Sequence, residues 1–460
     1  MTDEPARKIT LYTARWIVPV SAPPIENGAI AVGGETIVAM GRGSALAAEF
    51  PAAELRDLGN AAVLPGLINA HSHLELTVMR GFLEREEGDF LSWLRKLTTA
   101  RREQLSSEDL YISAAWGACE AIAAGITCVA DASDSGYACI KALRDVGLRA
   151  TVFQESFGPD PQYARENFEK LKAEISRLRE FETLLVSVGV SPHAVYTVSG
   201  PQLELISDFA LAEDLPLMMH AAESAAEEML VRQGRGPFAE GFAKRGFSWS
   251  KAGVSTIQYL RQHGILETRP LLAHCINVDE SDIALIELAG AKVAHCPRSN
   301  AKLAHGRAPL NRLLKRGVAV GLGSDSVASN NSCDILEEAR FAILSARADT
   351  NISPEFPLLS ATAAIRLATL GGACAVGRKG QTGELKPGQQ ADFAAFSLDH
   401  RHQLPSYEPL ETLVFASSGR ETILTVVAGR EVYREGRVTT IDEDRLRGRM
   451  GEIAERLKRS

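Results

Sequence analysis

The chain carries no excess of basic residues, no closely spaced cysteines and no long apolar run, and each absence removes a class of function. A formal net charge of -8 offers no basic face to a phosphate backbone, so nucleic acid is not an expected partner. No stretch approaches the roughly 20 apolar residues that span a bilayer, so no membrane partner is expected either. Residues 1–8 hold neither a secretory apolar core nor a twin-arginine pair, and a cytoplasmic location is the expectation. The seven cysteines form no C-x-x-C and sit mostly inside apolar runs, which fits small buried thiols in a reducing compartment. Cys275 and Cys296, although near the candidate site below, are read in the same way. No internal repeat or low-complexity tract is evident.

What is present is the composition of a folded enzyme, with 45% hydrophobic and 23% charged residues. At 460 residues, one large unit plus one small one is the economical count. Eight short apolar runs recur, at residues 63–73, 127–133, 149–156, 185–193, 216–223, 270–275, 292–297 and 318–325. Continuous apolar runs without polar alternation fit parallel strands buried on both faces. Helical stretches such as 107–125 and 201–213 lie between them, and the alternation predicts a (β/α)8 TIM-like barrel.

Each run closes on polar residues, where a barrel keeps its chemistry. The first ends His71-Ser72-His73, and a period of two on an extended strand puts both imidazoles on one face. His220 and Asp325 close two later runs and complete a His/His/His/Asp set for one borderline divalent metal, zinc first and iron second. Four of the ten histidines (His71, His73, His220 and His274) close apolar runs of strand length rather than sitting in charged stretches.

Outside this span, residues 9–58 and 383–440 are short, alternating, glycine-punctuated stretches that read as antiparallel strands. Because both ends carry them, the expectation is one small β-sandwich built from both termini, with the barrel inserted. The division is 1–62 and 377–441 for the sandwich, 63–376 for the barrel and 442–460 for a terminal helix. In that helix Leu446, Met450, Ile453 and Leu457 have amphipathic spacing.

Residues 65–73 (PGLINAHSH), His220-Ala-Ala-Glu223, His274, the Cys296-Pro-Arg-Ser299-Asn300 loop, Gly323-Ser-Asp325 and residues 383–392 (GELKPGQQAD) together resemble the amidohydrolase superfamily. The similarity runs from about residue 11 to 438. It is closest to the branch holding cytosine, guanine and methylthioadenosine/S-adenosylhomocysteine deaminases and triazine chlorohydrolases. The resemblance implies a mononuclear metal barrel with ligands His71, His73, His220 and Asp325 and a proton-handling pair, Glu223 and His274. Binuclear relatives place a lysine or glutamate at the end of strand four, and here that strand ends Ser191-Pro-His193. The resemblance also implies substrate contacts from Trp93, from His193 in a loop like the deaminases' SPHAPYT, and from Ser299 and Asn300. The position of a ribose-binding glutamate falls on Arg102, beside Glu103, where a cation could meet a substrate carboxylate through a bidentate pair. That departure, with residues 69–76 (NAHSHLEL), is similar to aminodeoxyfutalosine deaminases.

The expected activity is hydrolytic deamination of an aminated heterocycle, with an adenine nucleoside such as methylthioadenosine, S-adenosylhomocysteine or aminodeoxyfutalosine as substrate. The metal makes hydroxide available at neutral pH, Asp325 accepts the water proton, His274 orients the nucleophile and Glu223 protonates the ring nitrogen. Two other hydrolyses suit the same site: displacement of chloride from an s-triazine and opening of an amide or cyclic imide. The partner is a small molecule, and the sequence leaves a homo-oligomer open.

Overall fold

A computed structural model describes residues 8–348 and 358–459. Residues 1–7 and 460, the outer ends of the first and last segments predicted above, lie outside the described residues. The chain opens with β1 (Ile9–Ile17), β2 (Ile25–Gly33), β3 (Thr36–Arg42), β4 (Glu54–Asp57) and β5 (Ala61–Pro65). The eight apolar runs supply β6 (Leu67–Ser72), β7 (Ile126–Ser133), β8 (Arg149–Ser156), β9 (Val186–Pro192), β10 (Met218–Ala221), β11 (Leu271–His274), β12 (Lys292–His295) and β13 (Ala319–Leu322). The chain then returns with β14 (Phe393–Ser397), β15 (Thr422–Val427), β16 (Arg430–Arg434) and β17 (Arg437–Val438).

β6 to β9 and β10 to β13 form two four-stranded parallel sheets in sequence order. Parallel bridges between Val190 and Leu217 and between Ser72 and Asp325 join the two sheets at both seams. Helices occupy every crossover, among them Ser107–Ala123, Gly136–Val146, Ala164–Arg179, Gly200–Ala212 and Glu280–Ala289. The first begins at Ser106, whose hydroxyl and Asp109 form a reciprocal capping box, so its start is set locally.

Both termini enter one nine-stranded sheet of order β17-β16-β15-β14-β5-β1-β2-β3, with β4 on β1. The sheet is mixed, because β4 and β5 run parallel to β1. The first apolar run is divided: β5 pairs with β14 in the terminal sheet, and only β6 joins the parallel set. Pro65 and Gly66 make the break. A Cβ on Gly66 would lie 2.0 Å from the Thr127 hydroxyl, so only glycine lets the chain pass from one sheet to the other here.

Arg149 on β8 and Asp392 just before β14 lock the two parts together. The guanidinium donates from Nε (2.7 Å) and Nη2 (3.0 Å) to both carboxylate oxygens of Asp392, with both side chains buried. The terminal helix, Glu443–Lys458, buries Leu446, Ile453 and Leu457, as its spacing predicts. Among the described residues no helix is long and apolar enough to cross a membrane.

Candidate metal centre and active site

Strand ends place the donors. His71 is the penultimate residue of β6, His73 follows that strand, His220 lies in β10, and Asp325 comes just after β13. The Asp325 N–H donates to the His71 carbonyl (2.9 Å), and the Asn69 side chain bonds Ser324 in both directions, through its amide to Oγ (2.7 Å) and from the backbone N–H (2.9 Å). Gly323 permits this approach, since a Cβ there would meet His71 Cβ and Cys296 Sγ at 2.9 Å. Asp325 and His274 both have left-handed backbones, φ 57° and 73°. Non-glycine residues rarely adopt that conformation, which costs about 1–2 kcal/mol and is held here by the surrounding fold.

One ligand atom from each of His71, His73, His220 and Asp325 lies within 4.8 Å of every other, and all four residues are buried. His73 Nε2 is 3.2 Å from His220 Nε2, and Asp325 Oδ1 is 3.4 Å from His71 Nε2 and 3.5 Å from His73 Nε2. Tetrahedral donors about 2.0–2.1 Å from a zinc ion stand roughly 3.3–3.4 Å apart, so the spacing fits one cation. His71 Nε2 is buried without a hydrogen-bond partner, another sign that the donor set lacks only its ion.

Electrostatics prepare the donors. Burial, reinforced by His71, lowers the pKa of His73 to about 3. Burial and His193 push that of His220 well below the usual histidine range. Both rings are therefore neutral and carry a lone pair. The His220 Nδ1–H donates to the His193 carbonyl (2.9 Å), which leaves Nε2 for the metal. Burial alone would raise the Asp325 pKa, but the adjacent His71 ring and the other surrounding imidazoles hold it well below the ordinary carboxylate value. Its other oxygen, Oδ2, accepts from Ser299 Oγ (2.6 Å) and Ser329 Oγ (2.9 Å), so Oδ1 is presented to the histidines.

Glu223 and His274, the pair expected to handle protons, stand beside this set. Glu223 Oε1 is 3.7 Å from His274 Nε2 and 3.8 Å from His305 Nε2, and Tyr196 donates to Glu223 Oε2 (3.3 Å). His274 Nδ1 bonds Asn300 Oδ1 (2.8 Å), while its Nε2 is buried and unpartnered. Glu227 accepts the backbone N–H groups of Ala222 and Glu223, both at 2.9 Å, and so fixes the turn that carries Glu223. Sequence reasoning missed Glu227, although the Ser224-x-x-Glu227 capping pattern marks it.

A cavity opens onto the metal donors. Trp93 and His193 line it, with Phe90, Phe157, Tyr196 and Glu155. Ser299 and Asn300 do not line it; they hold Asp325 and His274 instead. Arg102 is also not brought to the cavity: its side chain is 77% exposed and pairs with Glu103. The lining arginine is Arg101, clamped by Glu75 (3.0 Å) and Asp134. Glu155, at the end of β8, escaped the sequence reading. With His193 and His220 it makes a second group of donor atoms within 4.8 Å of one another. Both ring nitrogens of His220 are already engaged, so this group has only Glu155 and His193 to offer. Cys275 and Cys296 are buried thiols, their pKa values raised by burial, in line with a packing role.

The profile of the amidohydrolase family matches residues 62–432. A 5-methylthioadenosine/S-adenosylhomocysteine deaminase of Syntrophobacter fumaroxidans is 33% identical over 438 residues, 94% of each chain. The corresponding deaminase of Pelotomaculum thermopropionicum is 31% identical over 421 residues, 91% of this chain and 92% of its own. Among solved structures, an adenosine deaminase of Xanthomonas campestris with bound zinc superposes with a TM-score of 0.85 at 26% identity, covering 98% of this chain and 99% of its own. The chain belongs to the amidohydrolase family.

Proposed function

We propose that the protein is a metal-dependent hydrolytic deaminase of an adenine nucleoside such as methylthioadenosine, S-adenosylhomocysteine or aminodeoxyfutalosine. The observation that carries this reading is the placement of Glu223 on the cavity, 3.7 Å from His274 and beside a complete His/His/His/Asp donor set. The names of the relatives support the substrate class.

His71, His73, His220 and Asp325 hold one divalent cation, zinc by preference. When bound, that ion supplies the Lewis acidity that makes water a nucleophile near neutral pH. Asp325 takes the proton released from water. Glu223 delivers a proton to the ring nitrogen next to the amine-bearing carbon, which turns a stable aromatic ring into one that water can attack. His274, held through Nδ1 by Asn300, aims Nε2 at the attacking oxygen. Return of the proton to the amine lets ammonia leave. Trp93 and His193 contact the substrate.

The same reading covers the architecture. The bridges at both seams support closure of β6 to β13 into a (β/α)8 barrel. Tyr12, Ile37, Phe393 and Val426, from strands far apart in the terminal sheet, share one core, which supports a sheet folded over itself as a sandwich. The barrel begins at Gly66 rather than at residue 63, runs to about residue 376, and is followed by the second part of the sandwich and the terminal helix. The unpaired cysteines support a cytoplasmic location.

The test is an ammonia-release screen of adenosine, methylthioadenosine, S-adenosylhomocysteine, aminodeoxyfutalosine, guanine, cytosine and triazines, with chloride measured in parallel. Ammonia from an adenine nucleoside is the expected result. Chloride release alone, or no product from any of them, refutes the proposal.

A further inference from the structure

We infer that Glu155 binds the sugar of the substrate, its carboxyl group accepting hydrogen bonds from the ribose hydroxyls. The inference rests on the nucleoside reading above and adds to it a specificity-determining residue.

Glu155 stands apart from the other buried glutamates. Glu75 accepts from Ser133 Oγ, the Asp134 N–H and the Ser135 N–H. Glu227 accepts two backbone N–H groups, and Glu338 accepts from the Asn330 amide and the Arg298 N–H. Glu155 is 8% exposed and lines the cavity, yet its Oε1 is buried without any hydrogen-bond partner. A buried acceptor left unmet is costly and is kept where something outside the protein completes it.

No neighbouring donor hydrogen-bonds it. Arg101, the cation on the same wall, is clamped by Glu75 and Asp134. His73 Nδ1 is 4.0 Å from Glu155 Oε1, beyond hydrogen-bond reach. His193 stands next to Glu155, and because its Nδ1 is tied to Thr197 Oγ1 (2.9 Å) it offers the cavity a single nitrogen, Nε2. This wall therefore presents a carboxyl group and one imidazole nitrogen side by side. Adjacent hydroxyls are the complement, and an adenine nucleoside carries such a pair on its ribose.

The position suits a sugar. Glu155 faces the Nδ1 edge of His73, whereas the Nε2 edge of that ring faces the other metal donors. The amine-bearing carbon and the ribose lie at opposite ends of the nucleoside. Phe90 and Trp93, stacked at 6.0 Å, supply the flat apolar surface for the base.

The test uses the metal-loaded full chain and its Glu155→Ala and Glu155→Leu variants, with ammonia release from adenosine, methylthioadenosine and their 2′,3′-dideoxy counterparts, which lack both hydroxyls. Wild-type protein should favour the ribosides by about 10- to 100-fold in kcat/KM, the range of two hydrogen bonds taken together. Glu155→Ala should lose that preference, chiefly through KM on the ribosides, while its kcat/KM on the dideoxy compounds changes by less than about threefold and its metal content stays at the wild-type level. Glu155→Leu, which removes the acceptor while keeping the bulk, carries the same comparison should the alanine variant fold poorly. Riboside preference retained in the variants overturns the inference and leaves the deaminase reading intact. Loss of metal from the variants also overturns it and makes Glu155 a metal-site residue. A wild-type protein that deaminates no adenine nucleoside removes both readings.

Discussion

The Nε2 atoms of His73 and His220 face each other at 3.2 Å, inside a site where both rings are neutral. His220 has already given its one N–H to the His193 carbonyl, so its Nε2 is a lone pair pointing at another imidazole. A shared cation turns this arrangement from a cost into a binding site. Chelation should therefore abolish ammonia release, and zinc or ferrous iron should restore it. Full turnover by metal-free protein, checked by elemental analysis, would contradict this.

Glu223→Gln keeps the shape of the side chain and removes its ability to deliver a proton. Activity should fall by at least about 100-fold, the scale of lost general acid catalysis, with metal content unchanged. Loss of the metal would reassign Glu223 from proton transfer to support of the metal donors.

Arg149 and Asp392 form a buried bidentate pair between a parallel strand and the terminal sheet. Asp392→Ala strands a buried guanidinium and also removes the acceptor of the Ala428 N–H (2.7 Å). The expected loss of stability is about 3–5 kcal/mol, read from denaturant unfolding. A loss below about 1 kcal/mol would mean that the two parts are held mainly by apolar packing.

Much of this arrangement was legible in the chain, because an unbroken apolar run closed by a histidine or carboxylate is what a buried parallel strand with a functional end looks like. His71, His73, His220 and Asp325 all converge as expected. Arg102 was misplaced for a geometric reason. One residue along a helix turns a side chain by about 100°, so spacing alone could not separate Arg102, in solvent, from Arg101, in the cavity. The division of the first run at Pro65 and Gly66 was hidden because both halves are apolar and fully buried, although in different sheets. Glu155 and Glu227 went unnoticed because their roles depend on which neighbours remain free, a property of the folded chain.

Asp131 supplies a pH dependence. Burial raises its pKa to about 7, against the opposing hydrogen bonds from the Leu74 N–H and Ser72, while its Oδ2 has no partner. Between about pH 4 and pH 7 the folded chain holds a proton here that the unfolded chain has released, so stability falls as pH rises and levels off above 7. Asp131→Asn should remove that fall, gaining about 2–3 kcal/mol on wild type between pH 5 and pH 8 in denaturant unfolding. A stability difference between the two proteins that does not change with pH would contradict the assignment.

The most direct measurement is a crystal structure of the zinc-loaded protein, with the metal located by anomalous scattering and its stoichiometry determined in solution. One ion per chain, within about 2.0–2.2 Å of donor atoms from His71, His73, His220 and Asp325, is the predicted result. An ion bound elsewhere, or one held by Glu155 and His193 in place of Asp325, would contradict the account.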